Sequence, residues 1–150
     1  MGHSYRDLVV WQKAKLLALS VYRITGDFPK SEIYGLTSQL RRASVSVASN
    51  IAEGQGRLTR GEFQQFLGHA RGSLLEVQTQ LEIAKDLGYL QETQFQSVER
   101  DSAEVLKLLN GLLESLRLGL PHETVGWSTR NLKLETRNCL YDLPQASRSH

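Results

Sequence analysis

Arginine supplies most of the chemistry this sequence offers. Arg41 and Arg42 stand side by side, and Arg57, Arg60 and Arg71 follow them. A guanidinium is always charged and presents five N–H donors in a planar fork that matches phosphate oxygens. The pattern predicts contact with phosphate groups from one basic patch. Two other readings stand beside it. Arg41 and Arg42 equally suit ion pairs between subunits, with Glu53 or acidic helices as partners. Arg57 and Arg60 equally suit solvated loop charge. No aromatic residues interleave with these arginines as a base-stacking platform, so nucleic-acid contact is expected through the backbone.

Other candidate chemistry is weaker. Asn50 and Glu53 lie three apart, but no activated nucleophile or second acid accompanies them, so a buried network or helix capping is the expected role. His3, His69, His122 and His150 are scattered and form no Glu-x-x-His pair of the kind that carboxylate-bridged metal bundles use. Gly54-x-Gly56 lacks the Gly-Lys-Ser/Thr of a phosphate loop and reads as a turn between helices. The single cysteine, Cys139, excludes an intramolecular disulfide framework. No catalytic residue, cofactor or metal is expected, and the chain is read as not an enzyme.

Helices must position the arginines. Val10, Ala14, Leu17, Val21 and Ile24 alternate steps of four and three, one helical stripe over about Asp7–Thr25. Gly26 to Pro29 stops it, and Ser31 is placed to cap a second helix. That helix carries Ile33, Leu36, Leu40, Ala43, Val47 and Ile51 and ends at Gly54-Gln55-Gly56, where glycine suits a left-handed turn. Thr59 and Glu62 read as a capping box opening a third helix. Phe63, Phe66, Leu67, Ala70, Leu74, Val77, Leu81 and Ala84 form its stripe. The fourth, about Gln91–Leu118, repeats Phe95, Val98, Ser102, Val105, Leu109, Leu112 and Leu116 as a strict heptad. Short connections force antiparallel neighbours, so the fold class is all-α, an up-down-up-down four-helix bundle over residues 1–118. Residues 119–150 form a polar C-terminal tail, either a disordered extension or docked on the bundle through Trp127, with room for one short helix near Thr129–Thr136.

The whole chain has 150 residues and a net charge of +2 from 18 basic and 16 acidic side chains. The total hides a polarity. Residues 1–71 hold 10 basic against 5 acidic residues, and residues 72–118 hold 4 against 8. No apolar run is long enough for a membrane span, and the N-terminus lacks a signal-peptide core. A cytoplasmic protein without membrane contact is the expectation.

The second helix is too apolar for one interface. Opposite its core stripe lie Ser38, Arg42, Val45, Ser49 and Ala52, with Ala48 close by, and Ala43 to Ala52 contains no charge. A face of this kind predicts a second packing partner. Another copy of the chain is the expected one, and coverage by the tail is the alternative. Gly68 and Gly72 on the third helix add a small-x-x-x-small pair, explained if another helix approaches closely.

The run Leu40-Arg41-Arg42-Ala43-Ser44-Val45-Ser46-Val47-Ala48-Ser49-Asn50-Ile51-Ala52-Glu53-Gly54 resembles the signature of the bacterial four-helix bundle proteins encoded in 23S ribosomal RNA intervening sequences, the S23 family. Tyr5-Arg6-Asp7-Leu8, Trp11-Gln12-Lys13-Ala14, Phe28-Pro29-Lys30, Tyr34-Gly35-Leu36 and Leu87-Gly88-Tyr89 are similar to the same family, over about residues 5–117. Ala48 departs from it, standing where many relatives have proline. The resemblance implies a ring-shaped homopentamer. It also implies kinship with the accessory variability determinant of diversity-generating retroelements, a basic pentamer that binds nucleic acid and associates with a reverse transcriptase. The expected function is an accessory protein binding RNA or DNA backbone through Arg41, Arg42, Arg57, Arg60 and Arg71. The alternative is a protein–protein scaffold whose charge asymmetry serves self-assembly.

Overall fold

The structure is a computed structural model that describes residues 4–120. The expectations for the tail therefore lie outside the described residues. Among the described residues four α-helices occur and no strand: α1 Val9–Thr25, α2 Leu36–Gln55, α3 Arg60–Asp86 and α4 Glu92–Arg117. Each packs on the next, α2 most extensively on α3, and α4 closes back onto α1. The result is the antiparallel up-down-up-down bundle that the short connections require.

The core follows the stripes. Val10, Ala14, Leu17 and Val21 of α1 are buried against Leu40, Ala43, Val47 and Ile51 of α2 and their counterparts on α3 and α4. Every position of the α4 heptad is buried, including Ser102, whose hydroxyl donates back to the Glu99 carbonyl at 2.8 Å. Burying each leucine contributes about 1.5–3 kcal/mol, so these stripes carry most of the stabilisation.

The helix ends show where local chemistry departs from the pattern. Ser31 does not cap α2. A 3₁₀ turn over Lys30–Glu32 intervenes, and α2 begins at Leu36. The Glu32 carboxylate accepts the Leu36 N–H at 2.9 Å, so a side chain outside the helix satisfies its first donor. Ile33 is consequently 55% exposed and leaves the expected stripe. Thr59 does cap α3, accepting the Glu62 N–H at 3.2 Å. The reciprocal half of the box differs: Glu62 accepts the Thr59 hydroxyl rather than the backbone N–H.

Gly54 is also not in a left-handed turn, since α2 continues to Gln55. It is needed for close approach. A Cβ there would lie 2.7 Å from the Phe66 Cβ and 3.0 Å from the Phe63 Cδ2. Among the described residues the left-handed glycines are Gly88, ending α3, and Gly119, ending α4, with φ of 77° and 75°.

Candidate nucleic-acid interface

Helix α2 positions the paired arginines, and it sends them different ways. Arg41 turns toward α1. Its Nε donates to Thr25 Oγ1 at 2.9 Å, a terminal nitrogen donates to the Tyr22 carbonyl at 3.4 Å, and the guanidinium lies 4.7 Å from the Tyr22 ring centroid. It thus sits at the carbonyl end of α1, where a cation is favoured. Arg42, one residue on, is exposed and lines a groove between α2 and α3.

The other three arginines are exposed but dispersed. Arg57 stacks over Phe66 with 4.5 Å to the ring centroid. Arg60 reaches the end of α4, a guanidinium nitrogen lying 3.3 Å from where a Cβ on Gly119 would stand. Arg71 faces α4 and donates to Asn110 Oδ1 at 3.4 Å. Arg42 and Arg57 are about 20 Å apart along the bundle at the helical rise of 1.5 Å per residue. The expected single patch around the second turn is therefore corrected. Arg57 and Arg60 share one end, Arg42 stands on the α2–α3 face, Arg71 on the α3–α4 face, and Arg41 is largely committed to α1.

Three carboxylates of the acidic half meet bases. Lys13 meets Glu104 at 3.3 Å, Lys85 meets Glu92 at 3.9 Å, and Arg117 meets Glu114 within α4. Hydrogen bonding from Arg117 holds the Glu114 carboxyl below its usual range. Among the described residues, Arg41, Arg42, Arg57, Arg60 and Arg71 form no ion pair with their own chain.

The candidate self-association residues lie on the outer side of α2. Val45 is 43% exposed, Ser49 is exposed, and Ser38, Ala48 and Ala52 are half-buried. Ala48 packs partly onto the core beside α1. Helix α1 adds exposed Leu16, Leu19 and Tyr22, an apolar contribution that the core stripe concealed. Gly68 and Gly72 are approached by nothing: a Cβ at either meets no atom within 4 Å. Their expected close helix contact is absent within the described chain.

Asn50 joins a network, its Nδ2 donating to the Ser46 carbonyl at 2.9 Å and to Ser46 Oγ at 3.0 Å. Glu53 is exposed and takes no part in it. Among the described residues, no group of three or more His, Cys, Asp or Glu side chains is placed to hold a metal ion, and no helix is long and apolar enough to cross a membrane.

Sequence reasoning missed Tyr34. It is 96% exposed in the turn before α2 and shares the α2–α3 groove with Arg42. The groove has a volume of about 440 Å³ and is also lined by Ser38, Gln39, Ala43, Ser46, Ser73 and Glu76. Three of its eight lining residues, Tyr34, Ser73 and Glu76, come from α3 or the turn, so the α2 motif alone could not reveal it.

A family profile described as 23S rRNA-intervening sequence protein matches residues 6–111. The chain belongs to that family. A solved structure is also similar to this chain. It is the 1.70 Å crystal structure of a protein with unknown function from the S23 ribosomal protein family of Bacteroides thetaiotaomicron VPI-5482. The two share 25% identity, with a TM-score of 0.65 over 71% of this chain and 99% of that one. No curated protein sequence matches the chain. The 23S rRNA-intervening sequence match covers α1 to α3 and most of α4, so the arginine motif and the bundle belong to one family unit.

Proposed function

We propose that this chain is a non-enzymatic, self-assembling bundle that holds RNA or DNA backbone on a basic surface. One observation carries the reading. Among the described residues, the arginines of the basic half form no ion pair with their own chain, while Glu92, Glu104 and Glu114 of the acidic half each meet a base. Unpaired guanidiniums leave a positive potential over the first two helices and the α2–α3 turn, which is what a phosphate backbone recognises. Exposed Arg42, Arg57 and Arg60 are the contacts, with Arg71 contributing from the α3–α4 side.

Self-assembly is supported by the apolar outer face that Leu16, Leu19, Tyr22 and Val45 leave in water. Small side chains at Ser38, Ser49 and Ala52 allow a second copy to approach closely. A ring of five, which the family resemblance implies, repeats the basic surface around an axis and multiplies backbone contacts.

Light scattering and a mobility shift test the two halves separately. The expected results are an assembly larger than a monomer at micromolar concentration and retardation of RNA or DNA that weakens with salt. A monomer would remove the self-assembly half. An assembly that retards no nucleic acid at low salt would leave the scaffold reading, in which the unpaired arginines meet the acidic helices of a neighbouring copy.

A further inference from the structure

We propose that the α2–α3 groove takes one unpaired nucleotide, with its base against Tyr34, its phosphate at Arg42 and an N–H or O–H donor at Glu76. The inference rests on the nucleic-acid reading above and names a site within it.

The groove is built for a ligand that is anionic at one point and a donor at another. Arg42 and Glu76 line it from α2 and α3, yet they form no ion pair. Donors gather on the α2 side. Ser46 Oγ accepts from Asn50 and lies 3.0 Å from Ser73 Oγ. Whichever serine donates across that contact, the other hydroxyl proton has no acceptor among the described residues. That proton and the Arg42 fork can both be satisfied by phosphate oxygens.

The acceptor Glu76 stands about one turn along α3 from Ser73. Gln80 is 6% exposed and donates to Glu76 at 3.2 Å and to Gln39 at 3.3 Å. Those bonds use one oxygen of Glu76 and leave its second free for an amino or hydroxyl group. The Gln80 carbonyl oxygen itself is buried without a donor among the described residues.

Tyr34 decides the class of ligand. An aromatic ring left 96% in water gains by stacking on a flat partner. Base faces are available in unpaired strands and hidden inside a duplex. A volume of about 440 Å³ falls in the ordinary range for small-ligand sites.

Fluorescence anisotropy with the full chain tests this, using labelled single-stranded RNA and DNA and a blunt duplex of equal length. Tyr34 makes no contact that the fold needs, so Tyr34→Ala should fold normally. It should weaken single-strand binding about tenfold, the scale of one lost base stack. Its salt dependence and its duplex affinity should match the parent, and Tyr34→Trp should restore binding. Glu76→Gln should reduce the preference for bases carrying an amino group over uracil or thymine. Adenosine monophosphate should compete for the parent and not for Tyr34→Ala.

Salt-dependent binding that ignores Tyr34→Ala would overturn this site and leave the backbone reading intact. Absence of binding to any nucleic acid would overturn both. Dissociation of the assembly by Tyr34→Ala, seen by light scattering, would show the groove to be a subunit contact and overturn the site.

Discussion

Adjacent arginines do different work here because one helical step turns a side chain by about 100°. Arg41 bonds the end of α1, so Arg41→Met should destabilise the bundle by about 1–2 kcal/mol in urea unfolding, the scale of charged hydrogen bonds. Arg42→Gln should leave stability unchanged and weaken nucleic-acid binding. Equal effects of the two substitutions on binding would contradict the division. Tyr89 gives a pH signature. Its phenol donates to Glu32 Oε1 at 3.2 Å, and burial, with that carboxylate beside it, raises its pKa above the ordinary 10.0. The folded chain therefore holds this proton more tightly than the unfolded one. The contribution is complete below pH 10 and is lost as pH climbs through the folded value. Tyr89→Phe should flatten the alkaline fall in stability, and an unaltered alkaline limb would refute the link. None of this partnering was legible in the sequence: the Arg41–Thr25 and Tyr89–Glu32 contacts join residues far apart in the chain.

Helices were the most legible level, and their ends the least. The α4 heptad translated directly into a buried face because a 3.5-residue repeat admits few other interpretations. The start of α2 did not, since Ile33 continues the apolar period while the 3₁₀ turn at Lys30–Glu32 carries it out into solvent. Glycine positions separate in the same way. Gly54→Ala forces a contact with Phe66 and should cost about 1–3 kcal/mol. Gly68→Ala and Gly72→Ala meet open space in mid-helix and should each stabilise the chain by about 1 kcal/mol in thermal or urea unfolding. A loss at either position would instead mean that a neighbouring copy packs there.

At the scale of the molecule, the near-neutral total conceals two unlike halves. Glu92, Glu104 and Glu114 of residues 72–118 stand beside bases, and among the described residues the arginines before them form no ion pair. The sequence made the polarity countable, but linear spacing could not show that Arg42, Arg57 and Arg71 face different sides. That dispersion suits a surface repeated by assembly more than one compact pocket, with the Tyr34 groove as a local reader beside it. The most direct measurement is the slope of log affinity against log salt for labelled RNA or DNA, comparing the parent with the Arg42→Gln, Arg57→Gln, Arg60→Gln triple substitution. The account predicts steep salt dependence in the parent and a slope shallower by about 0.7–0.9 for each phosphate contact removed, with the assembly unchanged by light scattering. No binding at low salt, or an unaltered slope in the triple substitution, would contradict it.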